Sequence, residues 1–167
     1  TLVLSLDAPA AAGDYGFAIS STGGAGGTST SIAASPFAVT VGEAADGSGS
    51  ATASTTPATI EASSDGNVVT VVYTAAGTIL EGRVVIEIPA GWSAASANAS
   101  SDDGASVDPP ILSGSQIGVR INSMAADESV SIAINGVTSN DVAGPVTFNV
   151  LSRGSAAGTS TALAAGS

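Results

Sequence analysis

The chain contains no cysteine, no histidine and no lysine, and three arginines stand against fourteen Asp and Glu for a net charge of -11. Each absence removes a class of chemistry. Without Cys there is no disulfide framework, although an extracellular home stays open. Without His, Cys or Lys, the abundant Ser and Thr have no ordinary base or alternative nucleophile beside them. Arg83, Arg120 and Arg153 are isolated in the sequence, so neither nucleic acid nor an anionic membrane surface finds a cluster of cations. No apolar run approaches the roughly 18–20 residues that span a bilayer. Aromatics make up 4% of the chain and charged residues 10%, which describes a bland, weakly acidic surface.

No sustained helical stripe of apolar residues is found, so helix is not expected. What is present is Gly, Ser, Thr, Ala and Val, the residues of turns and pleated strands. Period-2 alternation marks Leu2, Leu4 and Leu6, then Tyr15, Phe17 and Ile19, then Phe37, Val39 and Val41 after Pro36. NVVTVVYTAA (67–76) reads as a central strand buried on both faces. In RVVIEIPAGW (83–92), Val84, Ile86 and Ile88 share one face, Arg83 and Glu87 the other. Further alternations run through Ile117–Ile121, Val130–Ile134, Val146–Val150 and residues 159–165. The spacing predicts an all-β fold, an antiparallel sandwich rather than βαβ units. Ser93–Leu112 lacks periodicity and reads as a surface excursion. Tyr73, Phe37, Phe148 and Val71 read as core.

The chain repeats part of itself. Residues 14–36 align without gaps on residues 145–167, a constant offset of 131, and GTST recurs at 27–30 and 158–161. Phe17 meets Phe148, Ile19 meets Val150 and Ile32 meets Leu163. Residues 1–35 therefore read as an N-terminal strand extension that copies the C-terminal strands, and residues 36–167 as one sandwich unit. A chain opening on Thr1 without a leader pattern reads as a processed mature protein or an excised piece. Two arrangements follow: a section of a tandem array, or a subunit whose extension pairs with a neighbour of its own kind. Open sandwich edges favour strand addition. Leu2, Leu4, Leu6, Tyr15, Phe17 and Ile19 would be the assembly anchors, and Leu2, Leu4 and Leu6 suit an ordinary core equally well.

DGSG (46–49), YTA (73–75), IPAGW (88–92) and GTSTALA (158–164) together resemble a repeat domain of large bacterial surface proteins. That resemblance implies an immunoglobulin-like sandwich, secretion to the cell surface and a structural or adhesive role, with other surface components or glycans as further partners. By analogy with pili whose subunits lend an N-terminal strand to the next, it implies a homopolymer.

Candidate chemistry is sparse. Asp102–Asp103 and Asp127–Glu128 are paired carboxylates of the kind glycoside hydrolysis uses, but they sit in turn-like sequence and read as solvated. Calcium is the metal this composition suits, with Asp102, Asp103 and Asp108, or Glu43 with Asp46, as weak ligand candidates; neither stretch fits an EF-hand loop. Asn98-Ala99-Ser100 is an N-glycosylation sequon in a predicted loop. Trp92, the sole tryptophan, reads as packed on the sandwich rim rather than as a sugar platform. The expectation is a non-enzymatic structural subunit of an extracellular filament such as a pilus or sheath. The alternative is a stalk or adhesive module of a larger surface protein, followed by a sugar- or calcium-binding module.

Overall fold

The computed structural model describes residues 13–101 and 104–164. In chain order its strands are β1 (Gly13–Phe17), β2 (Ser20–Ser21), β3 (Thr30–Ser31), β4 (Phe37–Val41), β5 (Ser50–Thr56), β6 (Asn67–Thr74) and β7 (Ile79–Glu87). They continue as β8 (Ser96–Ser101), β9 (Ser106–Val107), β10 (Ile111–Ser113), β11 (Gln116–Met124), β12 (Ser129–Val137), β13 (Asn149–Arg153) and β14 (Thr161–Ala162). The fold is all-β and antiparallel. One sheet runs β5-β6-β12-β8; the other runs β10-β11-β7-β13-β14, with β9 on the flank of β11.

The core lies between these two sheets, and alternation explains it. Val69, Val71 and Tyr73 of β6 face inward with Val130, Ile132 and Ile134 of β12; Val84 and Ile86 of β7 join Ile117, Val119 and Ile121 of β11 from the other sheet. Each fully buried Ile or Val of this set contributes about 1.5–3 kcal/mol. Among the described residues, the N-terminal elements have no comparable core. β1 pairs with β4 and β2 with β3 in separate two-stranded sheets, where Phe17, Ile19, Phe37 and Val39 are all exposed. A lone two-stranded ribbon is marginal in water.

Several expectations need correction. β6 is fully buried on one face only: the outward Val68, Thr70 and Val72 are half-buried. Phe37 is 44% exposed rather than core, since its strand pairs with β1 and with neither large sheet. Ser93–Leu112 contains β8 and β9 and runs into β10. Residues 145–148, read from alternation as strand, carry no strand assignment; regular pairing starts at Asn149. The 159–165 run shrinks to Thr161–Ala162.

Candidate assembly site

Among the described residues, the seam between β5 and the β13–β14 side of the sandwich is open. β5 pairs only with β6, so its other edge is free of ladder bonds among the described residues. Ala51, Ala53 and Thr55 stand opposite Tyr73, Val71 and Val69, which puts them on the core side. Ala53 is nevertheless exposed. Beside it runs a cleft of about 860 Å³ whose walls include Ile60, Val69, Trp92, Val146 and Phe148. A second cleft of about 380 Å³ shares Ala53 and Phe148 and continues to Val150 and Leu163. The β5 side of the lining is small, Ala53, Ser54 and Thr55, and Glu61, Ser139 and Asn140 stand among the apolar residues, so β5 builds a sheet edge without filling the space between the sheets.

Trp92 packs edge-on against Phe148, with ring centroids 5.8 Å apart at 84°. Trp92 Nε1 and Asn140 Oδ1 are buried without a hydrogen-bond partner among the described residues, and both residues line the larger cleft. One is a donor and the other an acceptor, the pair of functions that an added backbone supplies.

The internal repeat is also a repeat of geometry. In the N-terminal hairpin Ser20 faces Ser31 and Ser21 faces Thr30; in the C-terminal hairpin Leu151 faces Ala162 and Ser152 faces Thr161, the same register shifted by 131 residues. Ile32 N–H donates to Ile19 C=O at 3.1 Å, and Leu163 N–H to Val150 C=O at 2.9 Å. Gly27 N–H donates to Gly24 C=O at 3.0 Å, and Gly158 N–H to Ser155 C=O at 3.2 Å. The surroundings differ. β13 also pairs with β7, whereas β2 pairs only with β3 among the described residues.

The DGSG turn fastens the C-terminal hairpin. Gly154 N–H donates to Asp46 Oδ1 at 3.0 Å and Thr159 N–H to Asp46 Oδ2 at 2.6 Å. Ser48 C=O accepts the Tyr73 hydroxyl at 3.0 Å and the Ser152 hydroxyl at 2.8 Å. Burial pushes the Tyr73 hydroxyl pKa up, opposed by its hydrogen-bonding neighbour Ser152. Gly49, at φ 96°, lies so close to Thr74 C=O that an added Cβ would come within 2.6 Å of it.

Of the expected assembly residues, Tyr15, Phe17 and Ile19 lie on or beside the β1–β4 ladder, while Leu2, Leu4 and Leu6 fall outside the described residues. Among the calcium candidates, Asp102 and Asp103 also fall outside them. Asp108 Oδ1 accepts from Asn122 at 2.9 Å and Oδ2 lies 3.7 Å from Arg120, and both Asp46 oxygens are engaged by backbone N–H groups. Glu43 sits in an isolated bridge with Thr78. No group of three metal-ligating side chains forms among the described residues. Asp127 and Glu128 shape the turn before β12: Ala125 N–H donates to Glu128 Oε2 at 2.7 Å. Asn98 is not in a loop. It is exposed on the edge strand β8, opposite Ala133.

The arginines are not isolated either. Arg120 pairs with Arg83, and Arg83 with Arg153, in one row across β11, β7 and β13. Sequence spacing hides this because each arginine comes from a different strand. Arg120 pairs with Glu81 and Asp108, while Glu87 on the same face accepts from Gln116 and Asn149, so acids are interleaved with the cations. The residues that sequence reading missed are those of β5 and Asn140. Their only signal was β-compatible Ser, Ala and Thr without alternation.

No protein-family model matches the chain, and no curated protein matches it.

Proposed function

We propose that this protein is a structural, non-enzymatic subunit of an extracellular filament, such as a pilus or sheath, that assembles by lending a β-strand from one copy to the next. The observation that supports this reading is the open seam beside β5, where Ala53 faces the core yet is exposed. An added strand would bond the free edge and cover the apolar cleft wall. The N-terminal segment supplies a donor, with Leu2, Leu4, Leu6, Tyr15, Phe17 and Ile19 as apolar anchors. Many main-chain hydrogen bonds broken together make such a joint slow to open. Immunoglobulin-like kinship, secretion and a place at the cell surface belong to the same proposal and rest on the DGSG, YTA and IPAGW resemblance.

A second reading has its own support. The shared register of the two hairpins is what a tandem array of stalk modules would contain at every joint. Electron microscopy and sedimentation of the purified chain test the first reading: filaments are expected for the whole chain, and monomers when residues 1–13 are removed. A truncated chain that still forms the same filaments would contradict it.

A further inference from the structure

We infer that Asn98 carries an N-linked oligosaccharide and that this sugar shields the outer face of the β5-β6-β12-β8 sheet. It rests on the secretion that the proposed function includes, since the transferring enzymes act on exported chains. Asn98-Ala99-Ser100 meets the acceptor pattern Asn-x-Ser/Thr with x other than Pro. No other asparagine of the chain has Ser or Thr two places on.

The fold leaves this motif room for a sugar. Successive side chains of a strand point to opposite faces, so Asn98 and Ser100 share one face of β8 and Ala99 takes the other. Asn98 and Ser100 are both exposed, while Ala99 is half-buried against the core. The other asparagines are engaged or covered. Asn67 is buried and donates to Ser64 and to Val137 C=O. Asn122 donates to Asp108, Asn135 to Ala133 C=O and Asn149 to Glu87, and Asn140 has its Oδ1 buried. The Asn98 carboxamide is exposed and makes no hydrogen bond among the described residues. Its Nδ2 would attack the anomeric carbon of an oligosaccharide carried on a lipid phosphate. The C–N bond forms as the C–O bond to phosphate breaks. The lipid phosphate leaves with the electron pair, and one carboxamide proton passes to a base of the transferase.

The surface beside Asn98 explains what the sugar does. Asn98 stands opposite Ala133, Ala133 opposite Thr70 and Thr70 opposite Ser54, a row of short side chains across the whole sheet. None of β5, β6, β12 and β8 contains a charged residue. β7 and β11 of the other sheet hold Glu81, Arg83, Glu87 and Arg120. The net charge of -11 therefore has no representative on these four strands, and like-charge repulsion does little to keep a second copy off this face. A bulky, hydrated oligosaccharide rooted at Asn98 supplies the missing barrier.

Trypsin cuts after Arg83 and Arg120, so one peptide, residues 84–120, contains Asn98. Mass spectrometry of that peptide, from protein exported by the cells that make it, is expected to show added sugar residues, with fragments placing them on Asn98. Asn98→Gln and Ser100→Ala, made separately, are each expected to lose the added mass, and Ser100→Thr to keep it. The two sugar-free variants change different side chains, so a folding defect in one leaves the other as the test. Both are expected to associate side by side at a concentration roughly tenfold below that of the glycosylated chain, read by sedimentation and electron microscopy. An unmodified 84–120 peptide would overturn the proposal, as would sugar confined to its serines. Equal lateral association with and without the sugar would overturn the shielding role. Sugar on Asn98 of a chain that forms no filaments would support the site and sink the filament reading. Filaments built from chains with a bare Asn98 would sink the site and leave that reading standing.

Discussion

Phe17 stands directly opposite Phe37 in the β1–β4 ladder, and 131 residues further along Phe148 occupies the position equivalent to Phe17 with Trp92 against its ring. One sequence motif thus has two environments, and they differ in energy. Phe17→Ala is expected to cost less than about 1 kcal/mol in the monomer, because the ring is 39% exposed in a two-stranded sheet. Phe148→Ala is expected to cost about 1–3 kcal/mol, below the value for a fully buried Phe because the ring borders the open cleft. Urea midpoints at unchanged slope give both numbers.

Asp46 binds two backbone N–H groups in the loop of the C-terminal hairpin, and both bonds are charge-assisted. Asp46→Ala leaves Gly154 and Thr159 without this acceptor. The expected loss is about 1–3 kcal/mol, together with faster exchange of the Gly154 and Thr159 amides. If the carboxylate were instead held in reserve for calcium, the ion would raise the stability of the wild-type chain and not of the variant. The two backbone bonds argue that calcium leaves both unchanged.

Tyr73 makes stability depend on pH in the alkaline range. Burial weakens it as an acid, so the folded chain keeps its proton at a pH where the unfolded chain has lost it. The contribution is whole below the ordinary tyrosine value of about 10 and is lost as pH rises from there through the higher folded value. Tyr73→Phe also removes the bond to Ser48 C=O, at a cost of about 1 kcal/mol at neutral pH. Above pH ~10 the variant is expected to lose less stability than the wild type does. Denaturant midpoints at neutral pH and about one unit above the tyrosine value measure the difference.

Two glycines, Gly118 in β11 and Gly154 just after β13, separate backbone from side-chain crowding. A Cβ on Gly154 would run into the carbonyl of Ala44, a backbone atom with nowhere to go. A Cβ on Gly118 would meet the guanidinium of Arg83, the far end of a flexible side chain. Gly154→Ala is expected to destabilise by about 2–3 kcal/mol and Gly118→Ala by less than about 1. Thermal melts of the two variants rank them directly.

The inner faces of the sandwich were legible in the sequence because Val84, Ile86, Ile117, Val119, Ile121, Val130, Ile132 and Ile134 alternate where burial demands it. The strand β5 was not, since a sheet edge over an open cleft places no apolar demand on Ser50–Thr56. Phe37 read as core because alternation reports two unlike faces and says nothing of which element they will cover. The repeat was visible as sequence. Its meaning lay in the register, where the Ser20–Ser31 pair matches Leu151–Ala162 although the residue types differ. The arginine row was hidden for the same reason: cross-strand neighbours come from distant parts of the chain.

The central claim is that copies join by strand addition at the seam beside β5. It is tested most directly by hydrogen exchange at the amides of β5, Ser50–Thr56, in the full chain, dilute and concentrated. The β5 amides that do not bond β6 are expected to exchange freely in the monomer and to gain protection in step with self-association. Assemblies in which those amides exchange as fast as in the monomer would contradict it.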